Sequence, residues 1–313
     1  MAINLTTSRI VRMSMATIGA GLLSAALLAP SATAEEVVKT YTVSGRAQVH
    51  VDTNDGSVRV FTTPDTKQVE FHVTFEGYQL DKDLHVNSHQ DGDRVELTAR
   101  LSGHWGFSWG HNSRNLRIEV HMPKSADLQV ETGDGAVDTE ALDGSLKIHT
   151  GDGSVKAASV TGNLDVDTGD GAIIVEGAKG AIRLHTGDGH IEARGLDGTL
   201  EATSGDGHIT IAGRFDALTL KTGDGSIDAH VLPGSKMASA WNVHTGDGSV
   251  DFALPGDMQA DIDASTHDGH ISMGIPVMVD GTISKSQIHG KMNGGGQALT
   301  ISTGDGSIRL SKT

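Results

Sequence analysis

Two sets of residues in this chain have types and spacings that suit chemistry. The first is a series of carboxylates. Thr-Gly-Asp-Gly occurs at 132–135, 150–153, 168–171, 186–189, 222–225, 245–248 and 303–306. Degenerate copies stand at Ser204-Gly205-Asp206-Gly207 and Thr266-His267-Asp268-Gly269. Asp134, Asp152, Asp170, Asp188, Asp206 and Asp224 are 18 residues apart, and Asp247, Asp268 and Asp305 follow at wider spacings. Carboxylates lined up about 5 Å apart repel by roughly 1 kcal/mol per pair in water. Backbone hydrogen bonds, counter-ions or a bound hard cation such as Ca²⁺ relieve that repulsion. The aspartates are therefore expected to be structural turn residues, with a Ca²⁺ ladder as the alternative. The tandem Gly-Gly-x-Gly-x-Asp nonapeptide of calcium β-rolls is missing, and no cofactor is expected.

The second set is the segment His104-Trp105-Gly106-Phe107-Ser108-Trp109-Gly110-His111-Asn112, which carries two of the three Trp. Rings beside polar groups and Gly suit sugar or peptide binding, so His104, Trp105, Phe107, Trp109 and His111 are candidate binding residues. The plainer alternative is a hairpin tip folded back on its own β-structure. His190, His208 and His270 each follow the last Gly of a repeat. With Asp188 and Asp206 they offer a loose divalent-metal pair, but the spacing fixes no third ligand. They are expected to be outward polar residues, and no metal site is assigned.

The element that must position all of these is the repeat itself. Gly, at 41 residues, is about twice its usual share, and its periodicity marks it as punctuation. A fixed period of this size belongs to stacked-repeat architectures. Within a period, apolar residues alternate by two, as in Leu146/Ile148 before the turn and Val155/Ala157 after it. Alternation puts one strand face in a core and the other in water. Each period is thus strand, Gly-Asp-Gly turn, strand, second turn. Gly is expected to supply the positive φ of both corners, and Asp to bond its own backbone. Outward positions such as Gln129, Lys147, Asp165, Arg183 and Glu201 would form ladders of alternating sign. A left-handed hexapeptide helix also has 18 residues per coil. The inward spacing 146, 155, 160, 164 favours a right-handed, flattened coil instead.

The segment Leu164-Asp165-Val166-Asp167-Thr168-Gly169-Asp170-Gly171-Ala172-Ile173 resembles the repeat of a bacterial family of candidate adhesins, domains of unknown function. The resemblance covers about residues 40–313. It implies an all-β fold, a single-stranded right-handed β-helix behind an N-terminal β-rich part. It also implies an exported envelope protein with no catalytic residues to carry over.

Three regions follow along the chain. Residues 1–34 have Arg9 and Arg12, an apolar run to Ala29 and the small-x-small site Ala32-Thr33-Ala34. That is a secretory signal peptide, with a retained anchor as the alternative, and the mature chain should begin at Glu35. No other stretch is apolar enough to span a bilayer. Residues 35–125 form a β-rich cap, in which 49–60 looks like one coil with Asn54 replacing the first Gly. Residues 126–313 are the solenoid. Arg309 and Lys312 are expected beside a terminal sheet edge, where charge discourages end-to-end stacking.

Net charge is −16, or −18 without Arg9 and Arg12, and there is no Cys. Nucleic-acid binding is disfavoured, and disulfides and thiolate zinc are excluded. Repeat loops are short from 126 to 230, and no Gly-x-Ser-x-Gly elbow, nucleotide loop or zincin helix occurs. The expected function is a non-enzymatic scaffold or adhesin in the periplasm, on the surface or outside the cell. Its partner would be an envelope protein or a glycan. The alternatives are a glycan-binding protein using 104–112, and a polysaccharide-processing β-helix enzyme.

Overall fold

The computed structural model describes residues 34–102, 114–279 and 284–313. The expected signal peptide, apart from Ala34, lies outside the described residues. All regular elements within them are β-strands, 25 in number, and all join one sheet.

Period-2 patterning produces the strands. In Leu146–Thr150 the residues Leu146, Ile148 and Thr150 are buried while Lys147 and His149 are exposed. One such strand has unpaired backbone on both sides, and stacking satisfies it. Leu128, Leu146, Leu164, Ile182, Leu200 and Leu218 stand side by side in parallel register. Val137, Val155, Ile173, Ile191, Ile209 and Ile227 form a second inward column. The result is an all-β, β-solenoid-like fold with one continuous core from Tyr41 to Leu310. Burying each Val, Ile or Leu contributes about 1.5–3 kcal/mol. The expected charge ladder is present, with Arg183 to Glu201 at 2.7 Å and His149 to Asp167 at 3.5 Å. These pairs are exposed, so each is worth no more than about 1 kcal/mol.

The Thr-Gly-Asp-Gly corner works differently from the expectation. Its glycines do not have a left-handed φ, with Gly56 of the Asn54 variant as the exception at 100°. Instead they are glycines because the corners pack against each other. A Cβ on Gly153, Gly171 or Gly189 would lie 2.0 Å from the carbonyl oxygen of the matching Gly one coil earlier. Positive φ is found at the second turn, where Gly162, Gly180 and Gly198 lie at 132–134°. That turn also contains an earlier corner at Ser159, Gly177 and Gly195, again left-handed. Between the two corners sits one inward residue: Val160, Ala178 or Leu196.

The Thr that opens each corner is buried and bridges coils. Thr186 Oγ1 donates to the Gly169 and Gly171 carbonyls at 3.2 and 2.9 Å, and accepts from the Gly189 N–H at 3.1 Å. Ser204 does the same with Gly187, Gly189 and Gly207. The tightly packed corner thus has its backbone groups satisfied without water.

Both ends depart from chain order. The strand Ala47–Thr53 lies between Arg94–Leu101 and Ala126–Thr132. Ser57–Thr63 lies between Asn115–Pro123 and Val137–Thr139. The coil expected at 49–60 is therefore real and is inserted between later strands. Beyond it, Glu35–Thr42, Gln68–Glu76 and Asn115–Pro123 pair antiparallel, as do Leu84–Asp91 and Arg94–Leu101. At the other end the chain terminus is not an edge. Ile308–Lys312 pairs with both Val250–Leu254 and Ile271–Met273, and Arg309 reaches Asp251 at 3.6 Å. Arg309 therefore supports a ladder inside the sheet, and the expectation of an edge guard was wrong.

Two substitutions test the corner. Gly171→Ala should destabilise by about 3 kcal/mol through overpacking. Thr186→Val, equal in size but without the hydroxyl, should cost roughly 1–3 kcal/mol by leaving a buried N–H unpaired. Thr186→Ser should be near neutral, as Ser204 already holds that column. Chemical denaturation midpoints measure all three.

Candidate functional site

The turn carboxylates form one exposed column. Asp134, Asp152, Asp170, Asp188, Asp206, Asp224 and Asp247 all lie in solvent, as do Asp268 and Asp305. The buried Thr and close-packed Gly on either side hold each one in line with its neighbours. Of the corner aspartates, Asp55 shows a local backbone bond, accepting from the Gly56 N–H at 2.6 Å. Repulsion along the column is relieved by exposure to water and salt, which screen charges about 5 Å apart to roughly 1 kcal/mol or less. Among the described residues no group of three or more His, Asp or Glu converges on a common point.

The histidines bond along the stack instead of toward one centre. His208 Nδ1 accepts from the Ser226 N–H at 3.1 Å, and His270 Nδ1 lies 2.9 Å from Ser307 Oγ. His190 is exposed on the coil before His208. His208 and His270 thus have lateral partners in neighbouring coils, and all three histidines are exposed, which matches their reading as outward polar residues.

The candidate binding residues His104, Trp105, Phe107, Trp109 and His111 lie outside the described residues. The stem that carries them is described, and it is tightly held. Asn54 Nδ2 donates to the Leu101 carbonyl at 2.9 Å, and Asn54 Oδ1 accepts from the Leu101 N–H at 2.8 Å. A side-chain amide here copies a backbone edge, which explains why Asn stands where most other corners have Gly. Arg100 pairs with Asp52 on the same strands. At the far side of the stem, the Arg114 guanidinium sits over the Tyr78 ring, 5.5 Å from its centre. Burial raises the Tyr78 hydroxyl above its ordinary range and nearby Asp55 adds to this, while Arg114 opposes it.

Two feature sets escaped the sequence reading. The first is the pair of carboxylates that staple the N-terminal insertion. Asp127 accepts from Arg46 Nη2 and Nε at 3.1 and 3.2 Å and from the Ser145 N–H at 2.9 Å. The Arg46 bonds hold its carboxyl below the usual range, against a smaller opposing effect of burial. Asp93 accepts from the Gly45 and Ser44 N–H groups, at 2.9 and 2.7 Å, and these lower its carboxyl too. Neither pairing leaves a local signal, because the partners are 49 and 81 residues apart. The second is an open groove of about 430 Å³ lined by Ser235, Lys236, Met237, Asp257, Gln259 and Gln297. Its signal was available: the Asp spacing lengthens beyond 18 from Asp224 onward. The extra residues make the loops that line it.

The model of the Toastrack DUF4097 family matches residues 65–311. No curated protein matches the chain. Among solved structures, a candidate lipid-binding protein from Parabacteroides distasonis is 11% identical, covering 88% of this chain and 96% of that one with a TM-score of 0.42. A candidate adhesin from Parabacteroides merdae is 12% identical, covering 88% and 95% with a TM-score of 0.39. A candidate cell-adhesion protein from Clostridium sporogenes is 12% identical, covering 90% and 100% with a TM-score of 0.28.

The lowered carboxyls set an acid limit. A group with a depressed folded pKa stabilises fully above its unfolded value, near 3.8 for both Asp93 and Asp127. That stability is lost as pH falls through the folded value. Asp127→Asn should lower the melting temperature at neutral pH and flatten its decline below pH 4. A chelator, by contrast, should leave the melting temperature unchanged; a drop would establish the cation ladder.

Proposed function

We propose, for a chain that belongs to the Toastrack family, an exported and non-enzymatic role in the cell envelope. The solenoid, a right-handed coil with strand register repeating every 18 residues over Leu128 to Leu218, serves as a rigid scaffold for contacts with an envelope protein or a glycan. One observation carries this reading. The polar groups of the repeat are spent on bonds between coils: hydroxyls at the corners, charge pairs on the outer strands, imidazoles beside the turns. Such a structure gains stiffness along its length. The negative charge is largely turn Asp and strand residues, so it is a by-product of stacking.

A specific observation favours a second reading, a glycan-binding adhesin working through 104–112. The Asn54 clamp and the Asp52–Arg100 pair fix the stem of that segment to the first coil. Preorganised stems lower the ordering cost of binding through a loop.

Cell fractionation with surface proteolysis tests the first reading. The expected result is a chain beginning at Glu35 in the envelope fraction, and an intact mass retaining 1–34 in the cytoplasm overturns it. Glycan-array binding tests the second. Trp105→Ala with Trp109→Ala should weaken binding at least about tenfold with no change in melting temperature.

A further inference from the structure

The last coil occupies a place that chain order does not assign to it. The chain completes the strands Trp241–Thr245 and Val250–Leu254, then passes over one level. It next forms Ala260–Thr266 and Ile271–Met273, then Met278–Val279 and Gln287–Met292. Only afterwards does it return, as Gln297–Thr303 and Ile308–Lys312, to fill the level it left. The hydroxyl column records the same order. Thr303 Oγ1 donates to Gly246 and Gly248 of the level below, and Thr266 Oγ1 donates to Gly304 and Gly306.

Among the described strands, Ala260–Thr266 and Ile271–Met273 reach the rest of the solenoid ladder only through this last coil. When the coil leaves, it bares a sheet edge on each side of a gap one coil thick. Both edges face the coil in parallel register, the lower one offering the Gly246 and Gly248 carbonyls and the upper one the Thr266 hydroxyl. The tether into the coil is short and Gly-rich, and it is pinned at its start, where Asn293 Nδ2 donates to the Gly256 and Met258 carbonyls at 2.9 and 2.6 Å. Asn293, Gly294 and Gly295 are all left-handed, with φ of 49°, 92° and 88°, and nothing lies within 4 Å of a Cβ placed on Gly294.

We propose that the gap between Trp241–Leu254 and Ala260–Met273 is a strand-acceptor site, filled by the chain's own residues 297–313 and open to those of a second copy. Recognition is by parallel backbone pairing, with Leu299, Ile301, Ile308 and Leu310 entering the core and Thr303 closing the corner. The occupant is a second copy because only a strand pair with this alternation and a hydroxyl at the corner meets both edges at once. Exchange of this coil between two copies makes a swapped dimer, and it begins with release of the Asn293 clamp on Gly256 and Met258. Its own coil holds the site by proximity, so exchange needs opening and high protein concentration.

The Cys-free chain allows a direct test. Asp251 and Arg309 are register partners on the outer face, close enough for a disulfide. One full-length chain carries Asp251→Cys and another carries Arg309→Cys. The two are mixed at high concentration, warmed below the unfolding midpoint, cooled and oxidised. A covalent heterodimer is expected at about tenfold above an Asp251→Cys plus Lys236→Cys mixture, which sets the random background. Hydrogen exchange on the unmodified chain should show 297–313 opening before 260–273 and before 146–231. Background-level crosslinking at a temperature where that opening occurs overturns the proposal. So does exchange of 297–313 only on global unfolding. Should either Cys variant misfold, His244→Cys with Ser302→Cys makes the same measurement at a second register pair.

Discussion

The structure depends on how closely one corner lies on the next. At Thr-Gly-Asp-Gly the backbones approach until the carbonyl of one Gly occupies the space a Cβ would need on the following one. Such an approach leaves no room for water, so each buried carbonyl and N–H must find a protein partner. The Thr hydroxyl provides it, donating down to the earlier coil and accepting from its own. Spacing between strands, inward columns and the line of exposed aspartates all follow from that contact. Asp fits the corner because it points outward, where water carries its charge.

A stack built this way faces the problem of its ends, since every terminal coil offers unpaired backbone. Both ends are handled by leaving chain order. Residues 47–63 are enclosed by later strands, and residues 297–312 by earlier ones. The first and last solenoid coils in sequence are thereby interior in space. Most of the outermost strands are antiparallel, with Ile271–Met273, parallel to Ile308–Lys312, as an exception. Aromatic residues appear where the stack widens or ends, as in Phe71, Phe75, Phe215 and Trp241, all fully buried. The narrow middle is filled by Val, Ile, Leu and Ala.

Legibility followed the range of the interaction. Stacking by 18 is a local pattern repeated, so the register of Leu146 on Leu164 could be read from spacing alone. The alternating ladder at Lys147, Asp165, Arg183 and Glu201 was equally plain. The second-turn glycines Gly162, Gly180 and Gly198 have the expected positive φ, whereas those of Thr-Gly-Asp-Gly were noticed for the right positions and the wrong cause, since a close approach and a left-handed φ both select Gly. Thr186 was overlooked for a related reason: in one dimension it is a turn residue, and only a coil 15–17 residues away shows its partners. Asn54, read as a lost Gly, is a clamp on Leu101, because its partner lies 47 residues on.

The sequence by itself determined that this chain is all-β, stacked and cornered by Gly, because alternation and period are short-range properties written once per coil. It also carried the terminal Asp spacings that mark inserted loops. Tertiary structure alone decided which coil lies beside which. Any coil of this repeat can pair with any other, since the apolar columns and corner hydroxyls are nearly the same in each. Only the lengths of the connections and the unlike ends select the order, and they place the last coil within the sheet and not at its edge.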